Sequence, residues 1–264
     1  MNDRSIDPAA SARLTYLGHA SLHIAMGNTN LLTDPVFSNR IFHLRRSVPA
    51  PDLASLPRMD ALLISHLHYD HLDLSTLRRF GDSPVVYLPH GAGKLLERAG
   101  LQNYRHVQAG DRLTIGEVTV EVVNSVHTNS RHPLGMHADT LGYLICGPCK
   151  VYFPGDTVFF PEMAAFSDNL DLAFLHVWGW GPDRGRMHLG PREAAQALTV
   201  LKPQVAIPIH WGTYLPIGML PLNPRFHRTP PVEFAEFAHQ VAPHVEVRIL
   251  RPGESTRIEP GSGM

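Results

Sequence analysis

The chain has 264 residues, 44% of them hydrophobic, which suits a single domain over 1–264 with its core between about residues 13 and 252. A formal net charge of −1 and a pI near 7.0 exclude the global basic field of a dedicated nucleic-acid binder. The opening MNDRSIDPAASARL carries acids and a proline where a signal peptide carries basic and apolar residues, and no apolar run reaches membrane-spanning length, so a cytoplasmic protein without a transmembrane segment is expected.

In chain order, RLTYLGHASLHIAMGNTNLLTDP reads as two or three strands with a hairpin turn at Gly27-Asn28. DALLIS is a short buried strand, and Asp73 is a plausible N-cap for a helix starting at LSTLRRF. PVVYLP is the next strand, followed by a helix in HGAGKLLERAG that stops at Gly100. YRHVQ, DRLTIG and VTVEVVNSVH alternate like strands, and TLGYLI with KVYFPGD forms a further pair. The second half runs DLAFLHV as strand, GPREAAQALTVL as helix, QVAIPIH as strand, PVEFAEFAHQV as helix and VEVRIL as strand. Hairpins at the front and middle, with strands and helices alternating elsewhere, predict an α/β (α+β) protein in which two sheets pack together under outer helices.

Both cysteines lie in Cys146-Gly-Pro-Cys149, the spacing of a thioredoxin-like redox pair. A redox pair needs a helix N-terminus to lower its thiol pKa. Here apolar strands flank the motif, so a hairpin turn at Gly147-Pro148 with facing cysteines is expected.

With 17 histidines against two cysteines, any metal site should use nitrogen and oxygen ligands. LLISHLHYDHLDL concentrates His66, His68, Asp70 and His71 directly after a buried strand, where α/β proteins commonly place ligand sites. Four ligating groups in six residues point in alternating directions and can divide between two ions. A second set of candidates ends other predicted strands: His127 after VEVVNSV, Asp156 after KVYFPG and His210 after VAIPI.

SHLHYDH, His127, FPGDT and IHWGT together resemble the metallo-β-lactamase-fold hydrolases over nearly the whole chain. More narrowly, YLGHAS, LLTDPVFS, MDALLISHLHYDHLD and PIHWGTY look like the branch containing N-acylphosphatidylethanolamine-hydrolysing phospholipase D, with L-ascorbate-6-phosphate lactonase in a related branch. The resemblance implies a four-layer αββα sandwich of two similar halves. It also implies two divalent metal ions, one on His66, His68 and His127, the other on Asp70, His71 and His210, with Asp156 bridging them. Such a pair supplies a metal-bound hydroxide near neutral pH and polarises a scissile oxygen. Zinc suits the His-rich set best, with manganese or iron as alternatives.

Asp70 is expected to orient the nucleophile while ligating. His188, in GRMHLGPREAA, resembles the histidine that stands beside the metals in the phospholipase branch and could protonate a leaving group; the alternative is a packed loop histidine. Asp34 in LLTDP could orient a ligating histidine, and His19 in LGHAS could approach the site to bind substrate. Arg45, Arg46 and Arg225 sit in long apolar-basic loops and could meet phosphate oxygens, against the alternative of ordinary surface arginines. Trp178 and Trp180 could line the pocket or merely pack a loop.

The expected activity is therefore metal-dependent hydrolysis of a phosphodiester, a small-molecule or lipid-like anionic substrate met in the cytoplasm or at a membrane periphery. The alternatives are a lactonase or carbonyl-ester hydrolase, and a non-catalytic or redox metal protein. Composition and motifs leave the oligomeric state open.

Overall fold

Alternating burial along Ala12–Gly18 (β1) sets Leu14 and Tyr16 inward and Arg13 outward, the period of a strand with one covered face. It continues through Ser21–Met26 (β2) and, across the turn at Gly27-Asn28, Thr29–Thr33 (β3), so the opening segment forms three antiparallel strands. The computed structural model describes residues 11–128, 131, 136–179, 187–218 and 228–261.

Inside what reads as a loop in sequence, Arg40–Ile41 (β4) and Leu44–Arg46 (β5) form a small hairpin. Ala61–Leu63 (β6) then pairs parallel with β3. Asp73 caps the following helix, Leu74–Phe80 (α1), its carboxylate accepting from the Ser75 N–H at 3.0 Å. Val85–Pro89 (β7), Gly93–Arg98 (α2) and Tyr104–Val107 (β8) complete the first half.

The second half opens with the antiparallel Arg112–Ile115 (β9), Val118–Asn124 (β10), Leu141–Cys146 (β11) and Lys150–Phe153 (β12). Leu172–His176 (β13), Pro191–Leu201 (α3) and Val205–Ile209 (β14) follow. Tyr214–Pro216 (β15) joins the β4–β5 hairpin, and Thr229–Val241 (α4), Glu246–Val247 (β16) and Ser255–Ile258 (β17) end the chain.

The strands make two seven-stranded sheets, in the orders β17-β1-β2-β3-β6-β7-β8 and β16-β14-β13-β12-β11-β10-β9. One apolar cluster, with Leu22, Leu63, Val120, Phe153 and Ile207, draws on both sheets and fills the space between them. Leu62, Leu77, Leu88 and Leu96 pack α1 and α2 on the outside of the first sheet, and Leu175, Leu198, Ala206 and Phe234 pack α3 and α4 on the outside of the second. The four-layer αββα arrangement expected from the sequence is thus the one observed.

Three local readings need correction. The strand expected over VEVRIL contracts to Glu246–Val247, whereas β17, which lies beyond residue 252, pairs antiparallel with β1 and edges the first sheet. At the cysteine turn, Cys146 pairs across the hairpin with Lys150, leaving Gly147, Pro148 and Cys149 as the connection. The two thiols therefore do not face each other: Cys149 turns inward and donates to the Ile258 carbonyl at 3.2 Å, while Cys146 is half-buried. No helix among the described residues is long and apolar enough to cross a membrane.

Candidate metal centre

β1, β6, β10, β12, β13 and β14 end at a common edge of the sandwich, and each delivers a polar side chain at its last residue or just beyond it. His66 follows β6, and a turn in which His68 O accepts from the N–H groups of His71 and Leu72 (3.0 and 2.8 Å) folds His68, Asp70 and His71 back over the strand ends. Gly155 brings Asp156 over that loop. Its φ is 62°, and a Cβ there would lie 2.5 Å from Ser65 Cβ, so glycine alone permits the approach.

The donor atoms fall into overlapping groups. One atom each from His66, His68, His127 and Asp156 lie within 4.8 Å of one another, as do one each from His19, Asp70, His71 and His210. Asp156 stands between the groups: Oδ2 is 3.4 Å from His71 Nε2 and 3.9 Å from His127 Nε2, and Oδ1 is 3.5 Å from His210 Nε2.

The outer hydrogen bonds fix which nitrogen faces the centre. His127 Nδ1–H donates to the Met187 carbonyl at 2.7 Å, and His210 Nδ1–H donates to the Trp178 carbonyl at 2.7 Å. His71 Nδ1–H donates to Asp34 Oδ2 at 2.7 Å. Ser65 Oγ donates to Asp34 Oδ2 at 2.6 Å and so accepts from His66 Nδ1 at 2.9 Å. All four histidines thereby turn Nε2 inward, the orientation that metal-ligating imidazoles take from such partners. Among the described residues, buried His66 Nε2 and Asp156 Oδ1 have no hydrogen-bond partner. A divalent cation is the partner such orphaned donors fit.

Electrostatics agree. Burial drives the His66 pKa well below the ordinary histidine value, leaving a neutral imidazole. Burial also opposes charge on His71, but Asp156, Asp70 and Asp34 outweigh it and hold its pKa well above the ordinary value. Asp70 and Asp156, although desolvated, are kept well below the usual carboxylate range by the surrounding histidines, His71 chief among them for Asp70 and His210 for Asp156. Carboxylates this crowded and buried call for positive charge, which bound cations would supply.

His188 Nε2 lies 3.1 Å from Asp156 Oδ2 at the more open side of the cluster. His19 is drawn in as well. It is almost fully buried, its Nε2 is 2.9 Å from Asp70 Oδ2, and its φ of 59° is left-handed for a residue with a side chain. Its N–H donates to Thr213 Oγ1 at 2.8 Å and its carbonyl accepts from the His210 N–H at 2.8 Å, which clamps the β1–β2 turn to the segment after β14. His19 is therefore a neighbour of Asp70 in the cluster rather than a group on an outer substrate wall. Asp34 lies beneath the cluster, accepting from His71 Nδ1 and from Ser65.

Other expectations fare differently. Arg46 is buried, and its guanidinium donates to the carbonyls of Leu17 (3.1 Å) and Val36 (3.0 Å) and to Tyr214 Oη (3.1 Å), so it clamps backbone and does not present itself to a substrate. Arg45, its strand neighbour, is exposed. Trp178 packs in the core beneath α3 and α4 and serves the site through its carbonyl. Trp180 and Arg225 lie outside the described residues. His176, at the end of β13, was not singled out in sequence. Its Nε2 accepts from the N–H groups of Thr157 (3.4 Å) and Leu189 (2.9 Å), tying together the residues that follow Asp156 and His188. The signal was there: it ends an apolar run, as His127 and His210 do.

The family model for the β-lactamase superfamily domain matches residues 29–211. A UPF0173 metal-dependent hydrolase of Thermococcus kodakarensis is 30% identical over 261 residues, which cover 93% of this chain and 99% of that one. The chain belongs to the metallo-β-lactamase superfamily. A second UPF0173 metal-dependent hydrolase, from Caldivirga maquilingensis, is 27% identical over 91% of this chain and 96% of its own length. Among solved structures, a metallo hydrolase of Ignicoccus hospitalis is similar in fold with a TM-score of 0.73 at 22% identity, over 94% of this chain and 99% of that one.

Proposed function

We propose that this superfamily member is a dinuclear metal-dependent hydrolase of phosphodiesters, acting on a small-molecule or lipid-like anionic substrate. His66, His68 and His127 would hold one ion and Asp70, His71 and His210 the other, with Asp156 between the two groups. The observation that carries the reading is the convergence of these residues, with the Nε2 atoms of His66, His71, His127 and His210 inward and an Asp156 oxygen that has no hydrogen-bond partner among the described residues. Two divalent ions, zinc by the chemistry of the donors and manganese or iron as alternatives, would supply there a lowered water pKa and Lewis-acid polarisation of the scissile oxygen.

The chain's own groups do the rest. Asp70 Oδ2 lies 2.9 Å from His19 Nε2 and 3.5 Å from His210 Nε2, which sets its carboxylate at the second group, where it would ligate and orient the attacking water. His188, 3.1 Å from Asp156, is set to give a proton to the departing oxygen. Arg45 is exposed on the small sheet whose Tyr214 ring stands edge-on to His19 at 5.4 Å, so a guanidinium on this flank favours an anion.

The test is initial rates for protein stripped and reloaded with zinc or manganese on matched panels of phosphodiesters and lactones, beside Asp70→Asn. Metal-dependent phosphodiester cleavage that falls more than about 100-fold in the variant is expected. An Asp70→Asn protein as active as its parent overturns the mechanism. Turnover of lactones alone overturns the phosphodiester reading in favour of attack at a carbonyl carbon. Independently of turnover, zinc at 100 times its Kd should stabilise the chain by about 2.7 kcal/mol, or roughly 5–10 °C in Tm.

A further inference from the structure

We propose that Arg131 is a positioning residue that sets the geometry of the loop carrying ligands to both ions. The proposal rests on the metal reading above and adds to it a residue outside the ligand set. Arg131 precedes β11 in sequence, and its N–H donates to the Met136 carbonyl at 3.1 Å. From there its guanidinium crosses to the loop after β6. Nη1 donates to the Leu67 carbonyl at 2.6 Å and Nη2 donates to the Leu72 carbonyl at 3.1 Å.

Those two carbonyls bracket His68, Asp70 and His71. One rigid fork therefore fixes the span between the entrance of the loop, just past His66, and its exit, just before the Asp73 cap of α1. The planar group also lies over the Tyr69 ring, 3.9 Å from its centroid, which holds the middle of the loop from the same side. Tyr69 in turn meets Phe42 edge-on at 4.4 Å, so the stack runs on to the tip of the β4–β5 hairpin.

The loop needs such a brace because its ligands serve different ions. A loop free to widen can satisfy His66 and His68 at one position or Asp70 and His71 at the other, but not both at their proper separation. Lysine cannot replace the fork: an ammonium is a point donor and lacks the plane that lies on Tyr69.

Cobalt(II) is the probe, because its visible d–d bands report ligand geometry without any substrate. In the full-length parent two equivalents should bind. Arg131→Met should lose about 10–100-fold in affinity for at least one of them and show altered d–d bands, and Arg131→Lys should recover no more than part of either change. If Arg131→Met does not fold, the same comparison is made on Arg131→Lys alone, where an altered spectrum supports the proposal. A variant that loses stability while both cobalt affinities and the parent spectrum persist overturns it, since the residue then supports the fold alone. A parent that takes up no cobalt overturns the metal reading itself, and this inference with it.

Discussion

Arg45 and Arg46 are adjacent, equally charged and equally placed in sequence, yet they should behave in opposite ways. Arg46→Met keeps the length of the side chain and removes its donors. The buried carbonyls of Leu17 and Val36 then lose the guanidinium that serves them. Leu17 falls at the register shift between Tyr16 and Gly18 where β1 leaves its regular pairing with β2, which is why a side chain serves its carbonyl. The Val36 carbonyl keeps Tyr214 Oη at 3.3 Å, so the Leu17 carbonyl is the acceptor left stranded, at a cost of roughly 1–3 kcal/mol. The weakened contact with Tyr214, whose ring lies 5.3 Å from the guanidinium carbon, adds to the loss. With a urea m-value of about 3 kcal/mol/M, the unfolding midpoint should fall by roughly 0.3–1 M. Exposed Arg45→Met should stay within about 0.5 kcal/mol of the parent, and its effect should fall on KM for an anionic substrate. Equilibrium urea unfolding followed by tryptophan fluorescence measures the first, and steady-state kinetics the second. An Arg46→Met protein with an unchanged midpoint and a raised KM would refute the clamp and return Arg46 to the substrate.

The cysteine turn should be chemically quiet: burial pushes the Cys149 thiol up to about 11, so at pH 8 its thiolate fraction is roughly 200-fold below that of a free thiol and iodoacetamide labelling should be slow in proportion. The unfolded chain releases that proton at the ordinary thiol value and the folded chain only near about 11, so the unfolded state binds fewer protons in this window and stability should fall as pH rises through it; rapid labelling at pH 8 would contradict the buried geometry. Gly155→Ala forces a Cβ against Ser65 at a left-handed φ, which should cost about 2–4 kcal/mol in urea and weaken zinc at least tenfold in a chelator competition; unchanged affinity would mean that Asp156 does not depend on this approach.

Much of the candidate site is legible because the residues proposed as ligands sit on a sheet rim and leave a simple trace: an apolar run that stops at His or Asp. His66, His127, Asp156 and His210 all show it, and the structure brings them together. His176 shows it too, but its role is to accept backbone N–H groups, and nothing in the local pattern separates an accepting histidine from a ligating one. The arginines fail for a different reason. On a strand, neighbouring side chains point to opposite faces, so a three-residue strand turns Arg45 outward and Arg46 inward, and only the register with β15 decides which is which. Strands as short as β4, β5 and β16 carry too few residues to show a period at all. β17 is hidden likewise, since STRI gains its meaning only from pairing with β1 at the far end of the chain.

Asp34 shows why the buried polar network under the ligands matters as much as the ligands. It is fully buried, and burial pushes its pKa up, with His71 and Ser65 pulling it only part of the way back. A lone carboxylate there would be costly. Asp34 is tolerated because Oδ2 receives both His71 Nδ1–H and Ser65 Oγ–H, and Oδ1 receives the Ser65 N–H at 2.7 Å. The same bonds carry orientation to His71 directly and to His66 through Ser65, so one side chain aims an imidazole at each of the two donor groups. Arg131 braces the ligand loop from its outer side and Asp34 from beneath. Between them the loop has little freedom left, which suits the two cation positions proposed above.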